Sequence, residues 1–197
     1  MHPAIAMSPR VAMTDEETVT AAADERLGAI YAREGQRLAA LGRMLTGSID
    51  AGEDMAQEVF VRALRASRRD PEYLREPAWP WLRTTLARLV IQRHRTRMRE
   101  VLRLVRVYDP PGTPWPGATV DVADALRALP PRMRACVVLH HCEDLTASET
   151  ADILGCSAAT VIVHLREGRA RLRARLDPEG EHTSSPATRS SGGRRRG

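Results

Sequence analysis

Between Thr146 and Leu172 the chain has less freedom than anywhere else along its length. Thr146 followed by Glu149 is a capping-box pair: the hydroxyl accepts from the third helical amide and the carboxylate reaches back to the amide of Thr146 itself. Ala151 and Leu154 share an inward face, Gly155 supplies the residue that closes a helix, and Ser157 can cap a second helix running through Val161 and Leu165. These offsets predict a helix-turn-helix. The small Ala151 lets two helices cross closely, the glycine makes the turn, and Val161 packs the second helix back on the first. A plain helical hairpin with arginines on its wet face has the same spacing, so the rest of the chain must decide between them.

The chain's 197 residues allow one or two small domains, each with its own core. A net charge of +5 and a pI near 9.8 favour a polyanionic partner. All 30 residues counted as lysine plus arginine are arginine, and asparagine is absent too, a bias that GC-rich coding explains as well as function does. The placement of the arginines therefore carries more weight than their number. Near the N-terminus, the short apolar run Ala4 to Met7 is interrupted by Pro9 and Arg10, so neither a signal peptide nor a membrane span is expected and the location should be cytoplasmic. Cys136, Cys142 and Cys156 are odd in number and lie in helical patterns, as reduced thiols do. Cys136 and His140 share a helical face, but His141 and Cys142 must point elsewhere, so the four do not converge on a zinc ion. With no phosphate-cradling glycine loop, nucleophile motif or recognisable carboxylate pair, the sequence predicts no catalysis and neither metal nor cofactor.

The expected fold is all-α, two small helical domains joined by a Pro-rich linker, the second containing the helix-turn-helix. Leu27, Ile30, Tyr31, Leu38, Leu41 and Leu45 mark an amphipathic helix from about Ala22. After a turn at Gly47 and Ser48, Asp50 with Glu53 opens another helix, with Ala56, Phe60 and Ala63 as its apolar stripe. Ser67 to Pro80 reads as a loop, and Trp81 opens a third helix through Leu86 and Val90 into an arginine run. Residues 1–21 and 178–197 are expected to be disordered tails around domains 22–100 and 121–177. Residues 101–120, with Pro110, Pro111, Pro114 and Pro116, form the linker, able to span about 70 Å if extended.

Asp50, Glu53, Asp54 and Glu58 give one helix an acidic face in a basic protein, suited to a basic protein surface and repelled by phosphate; a solvated face with favourable N-terminal charges is the plainer account. Between Arg83 and Arg106 stand eight arginines and a single acid, Glu100, with Tyr73, Trp79 and Trp81 beside them. Such interleaving suits unpaired bases, which stack on aromatics while arginines hold phosphates, although the spacing of Trp81 to Leu82 and Leu86 also fits a core position.

Across Leu27 to Leu176 the chain resembles the extracytoplasmic-function sigma factors of bacterial RNA polymerase. Asp50, Glu53, Asp54, Gln57, Glu58, Phe60 and Arg62 are similar to the D-x-x-E-D-x-x-Q-E-x-F-x-R helix of region two. Leu129-Pro130-Pro131-Arg132, Glu143-Asp144-Leu145 and Glu149-Thr150-Ala151 are similar to the opening of region four. The resemblance implies that Asp50, Glu53, Asp54, Gln57, Glu58 and Arg62 bind the clamp of core polymerase. It implies that Tyr73, Trp79, Arg83, Arg88, Arg93, Arg95 and Arg97 meet the minus-ten element, and that Ser157, Ala158, Thr160, Val163, His164, Arg166 and Arg169 meet the minus-thirty-five element. It further implies contact with the beta flap and an anti-sigma partner. Where the family commonly has Thr-Val-Lys-Ser-Arg, this chain has Thr160-Val161-Ile162-Val163-His164, which should weaken phosphate contacts or alter the promoter read. Gln92 replaces a common Asp, and His141 with Cys142 replace an aromatic pair. A stand-alone helix-turn-helix regulator is the alternative, and its first module would serve dimerisation or sensing.

Overall fold

The computed structural model describes residues 15–70, 72–74, 76–104 and 120–176. Among these residues there are seven helices and no strand. The first three are α1 (Asp15–Thr46), α2 (Ile49–Ser67) and α3 (Trp79–Leu104); the other four are α4 (Val120–Arg127), α5 (Pro131–Cys142), α6 (Ala147–Leu154) and α7 (Ala158–Leu176). The all-α expectation holds, with several shifted boundaries. Helix α1 begins at Asp15, inside the expected tail, and α3 begins at Trp79 rather than Trp81, since Pro80 in the first turn gives up no helical hydrogen bond. Helix α3 also continues to Leu104, into the expected linker. The remainder of that linker and of both tails lies outside the described residues.

Helices α1 to α3 form one core around Ile30, Leu38, Leu41, Leu45, Val59, Leu82 and Leu86, all less than 2% exposed. Tyr31, expected in this stripe, is instead 56% exposed and lays its ring edge-on against Phe60 at 4.8 Å. The turn into α2 has Gly47 at φ 74°, and the Ser48 hydroxyl accepts from the Ala51 amide at 3.4 Å as the N-cap. Helices α4 to α7 pack around Cys136, Val138, Leu139, Ala151, Leu154, Val161 and Leu165, and these side chains are continuous with the apolar cluster of α1 to α3. Burial pushes the Cys136 thiol up to about 12, so it stays protonated as a small core residue. His140, the other half of the dismissed zinc pair, instead places Nδ1 2.6 Å from the Leu145 carbonyl oxygen, and no metal-ligand cluster occurs among the described residues.

Backbone meets backbone where α1 crosses α2. A β-carbon on Gly52 would collide with the Arg43 amide nitrogen and lie 2.6 Å from the Gly42 carbonyl carbon, and one on Gly42 would collide with the Gly52 carbonyl oxygen. In an open helix, glycine to alanine gains roughly 1 kcal/mol. Here the sign reverses. Gly52→Ala should destabilise the chain by about 1–3 kcal/mol, the usual cost of overpacking, read as a lower midpoint in thermal or urea unfolding. A neutral or stabilised variant would show that the two backbones are not in contact.

Candidate nucleic-acid interface

The helix-turn-helix forms as the local rules require. The Thr146 hydroxyl accepts from the Glu149 amide at 3.2 Å, and a Glu149 carboxylate oxygen accepts from the Thr146 amide at 2.9 Å and from its hydroxyl at 2.7 Å. Those donors hold the Glu149 carboxyl below the usual carboxylate range. Gly155 sits at φ 61° and ψ 52° as the left-handed cap, and Ser157 Oγ accepts from the Thr160 amide at 3.1 Å to start α7. Ala151 and Val161 are 4% and 0% exposed at the crossing.

These caps orient the outer face of α7. Ser157 is exposed, Ala158 packs partly against the core, and Thr160 is half-buried with its hydroxyl 2.8 Å from that of Ser157. Ile162 and Val163 are 58% and 43% exposed, while His164 is half-buried. Arg166 and Arg169 are exposed, and Arg169 Nε donates to His141 Nε2 at 3.1 Å. Burial first, then Arg169 and His140, lower the His141 pKa, which favours the neutral ring that this bond needs.

In the first module the acidic face is open: Asp50, Glu53, Asp54 and Gln57 are exposed along α2, and Glu58 is half-buried. Along this face Glu58 pairs with Arg62 at 2.9 Å and Glu53 with Arg43 at 3.1 Å. Beside them a groove of about 520 Å³ runs between α1 and α2, with Ala39, Ala56 and Phe60 among its apolar lining residues and Gln57 among its polar ones. Sequence reasoning missed this groove, although Gly35 and Ala39 on α1 facing Ala56 on α2 leave room for one.

The aromatic and arginine segment differs most from expectation. Tyr73 is 45% exposed and contacts Trp81 edge-on at 5.6 Å, so Trp81 is half-buried behind it. Trp79, expected to offer its ring to bases, is only 8% exposed. Its indole Nε1 donates to Glu143 at 2.7 Å, and the Arg37 guanidinium lies 3.7 Å from its ring centroid. Trp79 is thus held between the modules rather than presented to solvent. Arg83 lies 3.8 Å from the Glu143 carboxylate, and Arg88 donates to the Ile153 and Asp152 carbonyls at 3.3 and 3.4 Å. Arg93, Arg95 and Arg97 are exposed further along α3, with Arg93 Nη1 3.8 Å from Met55 Sδ.

This architecture, a three-helix unit with an acidic face joined to a four-helix unit ending in a helix-turn-helix, defines a two-module transcription protein. The sequence family "Sigma-70 region 2" matches residues 30–100, and "Sigma-70, region 4" matches residues 119–172. An RNA polymerase sigma-E factor of Streptomyces avermitilis is 30% identical over 159 residues, covering 75% of this chain and 83% of that protein. The ECF RNA polymerase sigma factor SigE of Mycolicibacterium smegmatis is 31% identical over 164 residues, covering 79% of this chain and 63% of that protein. The sigma factor RpoE of Bartonella quintana, solved in complex with the anti-sigma factor NepR, superposes with a TM-score of 0.61 at 22% identity, over 79% of this chain and 99% of that one. The chain belongs to the extracytoplasmic-function sigma factors of the sigma-70 family.

On the second module, Ile162 is exposed on α7, at a position where the family commonly carries a lysine. Ile162→Lys should tighten binding of the full chain to mixed-sequence duplex and steepen the log-log salt slope by about 1, the value for one added phosphate contact. Fluorescence anisotropy across a salt series measures both. An unchanged slope would place residue 162 away from phosphate, as for a side chain packed on a thymine methyl.

Proposed function

We propose that the chain binds core RNA polymerase in the cytoplasm through α2 and directs it to promoters, reading the minus-ten element with α3 and the minus-thirty-five element with α7. What supports this reading above all is the open acidic face of α2, Asp50, Glu53, Asp54 and Gln57, on a protein of net charge +5. Phosphate would be repelled there, whereas a basic protein surface would be steered to it. The adjoining groove offers apolar area to the same partner. In this reading the chain supplies sequence choice and strand opening, and the polymerase performs nucleotide addition. The second module would also touch the beta flap. An anti-sigma partner belongs to the same reading, the kind of protein with which the similarly folded RpoE was solved.

Reversing Asp54 and Glu58 to arginine should abolish co-purification with core polymerase while the unfolding midpoint stays near that of the parent, because both side chains leave the core untouched. Full retention by a folded double variant would favour a stand-alone DNA-binding regulator instead.

Strand opening falls to Tyr73, the exposed aromatic next to the arginine helix, backed by Trp81. If Tyr73 stacks on an unpaired base, Tyr73→Ala should cost about 1–3 kcal/mol of open complex, visible as weaker permanganate reactivity of promoter thymines in the holoenzyme. Equal reactivity at equal polymerase occupancy would remove Tyr73 from the melting surface.

A further inference from the structure

Helix α7 is tied to α5 at the outer surface of the second module, and the tie falls on an arginine. Met133, Val137 and His141 recur at four-residue spacing and so form one stripe along α5. Helix α7 lies so close on this stripe that a β-carbon on Gly168 would stand 2.7 Å from Val137 Cγ2 and 3.2 Å from Met133 Cγ. That approach brings the next residue, Arg169, within reach of the last member of the stripe, and its Nε donates to His141 Nε2 at 3.1 Å. A ring nitrogen that accepts carries no proton, so His141 is neutral with its hydrogen on Nδ1. The neighbouring ring holds it in place. His140 Nδ1 donates to the Leu145 carbonyl oxygen at 2.6 Å, and the two imidazoles meet edge to face with centroids 4.7 Å apart.

Arg169 lines a groove of about 570 Å³ together with Arg166 and Arg173, and no carboxylate is among the described residues that line it. Cations along one wall repel one another until an anion enters. To grip a phosphate, a guanidinium must arrive with its fork in one orientation, and an arginine loose on its long stem gives up rotamer freedom in doing so. Here the Nε–H is committed to His141, which fixes the orientation of the planar group and leaves the Nη donors for the anion. An imidazole nitrogen accepts in the plane of its ring and so sets a direction, whereas a phenylalanine ring offers a guanidinium only its face. His141 stands where the family commonly has an aromatic. We propose that His141 is a positioning residue for Arg169, holding its guanidinium pre-organised for a backbone phosphate of the minus-thirty-five duplex. The proposal rests on the reading of α7 as the helix that meets DNA.

Fluorescence anisotropy of the full chain on a labelled mixed-sequence duplex, in a salt series starting from low salt, tests the arrangement, since a phosphate contact does not depend on base sequence. Arg169→Ala should weaken binding and reduce the log-log salt slope by about 1, as the loss of one phosphate contact does. His141→Phe keeps a ring and removes the acceptor. It should weaken binding about two- to tenfold, the cost of ordering one rotamer-rich side chain on association. His141→Gln supplies a side-chain carbonyl that can accept from the same guanidinium, and should bind nearly as the parent does. In the Arg169→Ala background, His141→Phe should change nothing further, because a positioning residue acts only through the group it positions. His141 and Arg169 are both exposed, so every variant should keep an unfolding midpoint near that of the parent.

An Arg169→Ala chain that binds as tightly as the parent would take Arg169 off the DNA surface, and the proposal with it. If Arg169→Ala weakens binding while His141→Phe does not, α7 still meets DNA and the positioning role is overturned. The role is equally overturned if His141→Gln binds as weakly as His141→Phe, or if the His141→Phe loss persists without Arg169. None of these measurements contains polymerase, so they stand apart from the pull-down that tests sigma activity.

Discussion

The buried carboxylate of Glu143 constrains the relative placement of the two halves more than any other group. An anion in a low-dielectric setting has to be surrounded by donors, and the three near it, from Trp79, Arg37 and Arg83, all belong to the other module. Pulling the modules apart replaces each of these partners with water, which hydrates a carboxylate and a guanidinium well. Ionic contacts of this sort contribute orientation more than net stability. These polar contacts border apolar packing, because the buried side chains of the two modules belong to one continuous hydrophobic cluster. Stability comes chiefly from the leucine- and valine-rich core, which is continuous from one module to the other.

The glycine crossing of α1 and α2 sets the geometry of the acidic face. Because Gly42 and Gly52 let the backbones touch, α2 lies close along α1, and its apolar stripe of Met55, Ala56, Val59 and Phe60 turns inward. The remaining surface of α2 then has to carry Asp50, Glu53, Asp54 and Gln57 outward on one open side. The groove toward Tyr31 lies where Gly35 and Ala39 of α1 and Ala56 of α2 leave space. The acidic face is thus a product of helix packing, carried on a regular helix.

What could be read in the sequence was local. The Thr146–Glu149 box, the Gly155 cap and the Ser157 start act within a few residues and involve backbone hydrogen bonds that must be satisfied wherever the segment is placed. The all-α architecture followed from apolar spacing for the same reason. What could not be read was long-range. Trp79 and Glu143 are 64 positions apart, and nothing near Trp79 marks it for burial while Trp81, two residues on, is left half-buried. The early start of α1 and the extension of α3 to Leu104 have no proline or glycine to mark them. The reason for Gly52 inside a helix is its neighbour Gly42 on α1, ten positions earlier in the chain.

The recognition helix follows from the same separation of local from distant causes. Its fold depends on Val161 and Leu165, which are buried, and places no demand on Ile162 and Val163, which are exposed. Apolar groups on the wet side of a helix add nothing to its stability and forgo the phosphate affinity that lysine or arginine would supply. A side chain free of folding constraints is free to answer to a ligand, and a β-branched residue facing the major groove can contact a thymine methyl but cannot pair with a guanine edge. Arg166 and Arg169, one and two turns further along, keep cations on the outer surface, so α7 carries its apolar and its cationic exposed groups on different turns.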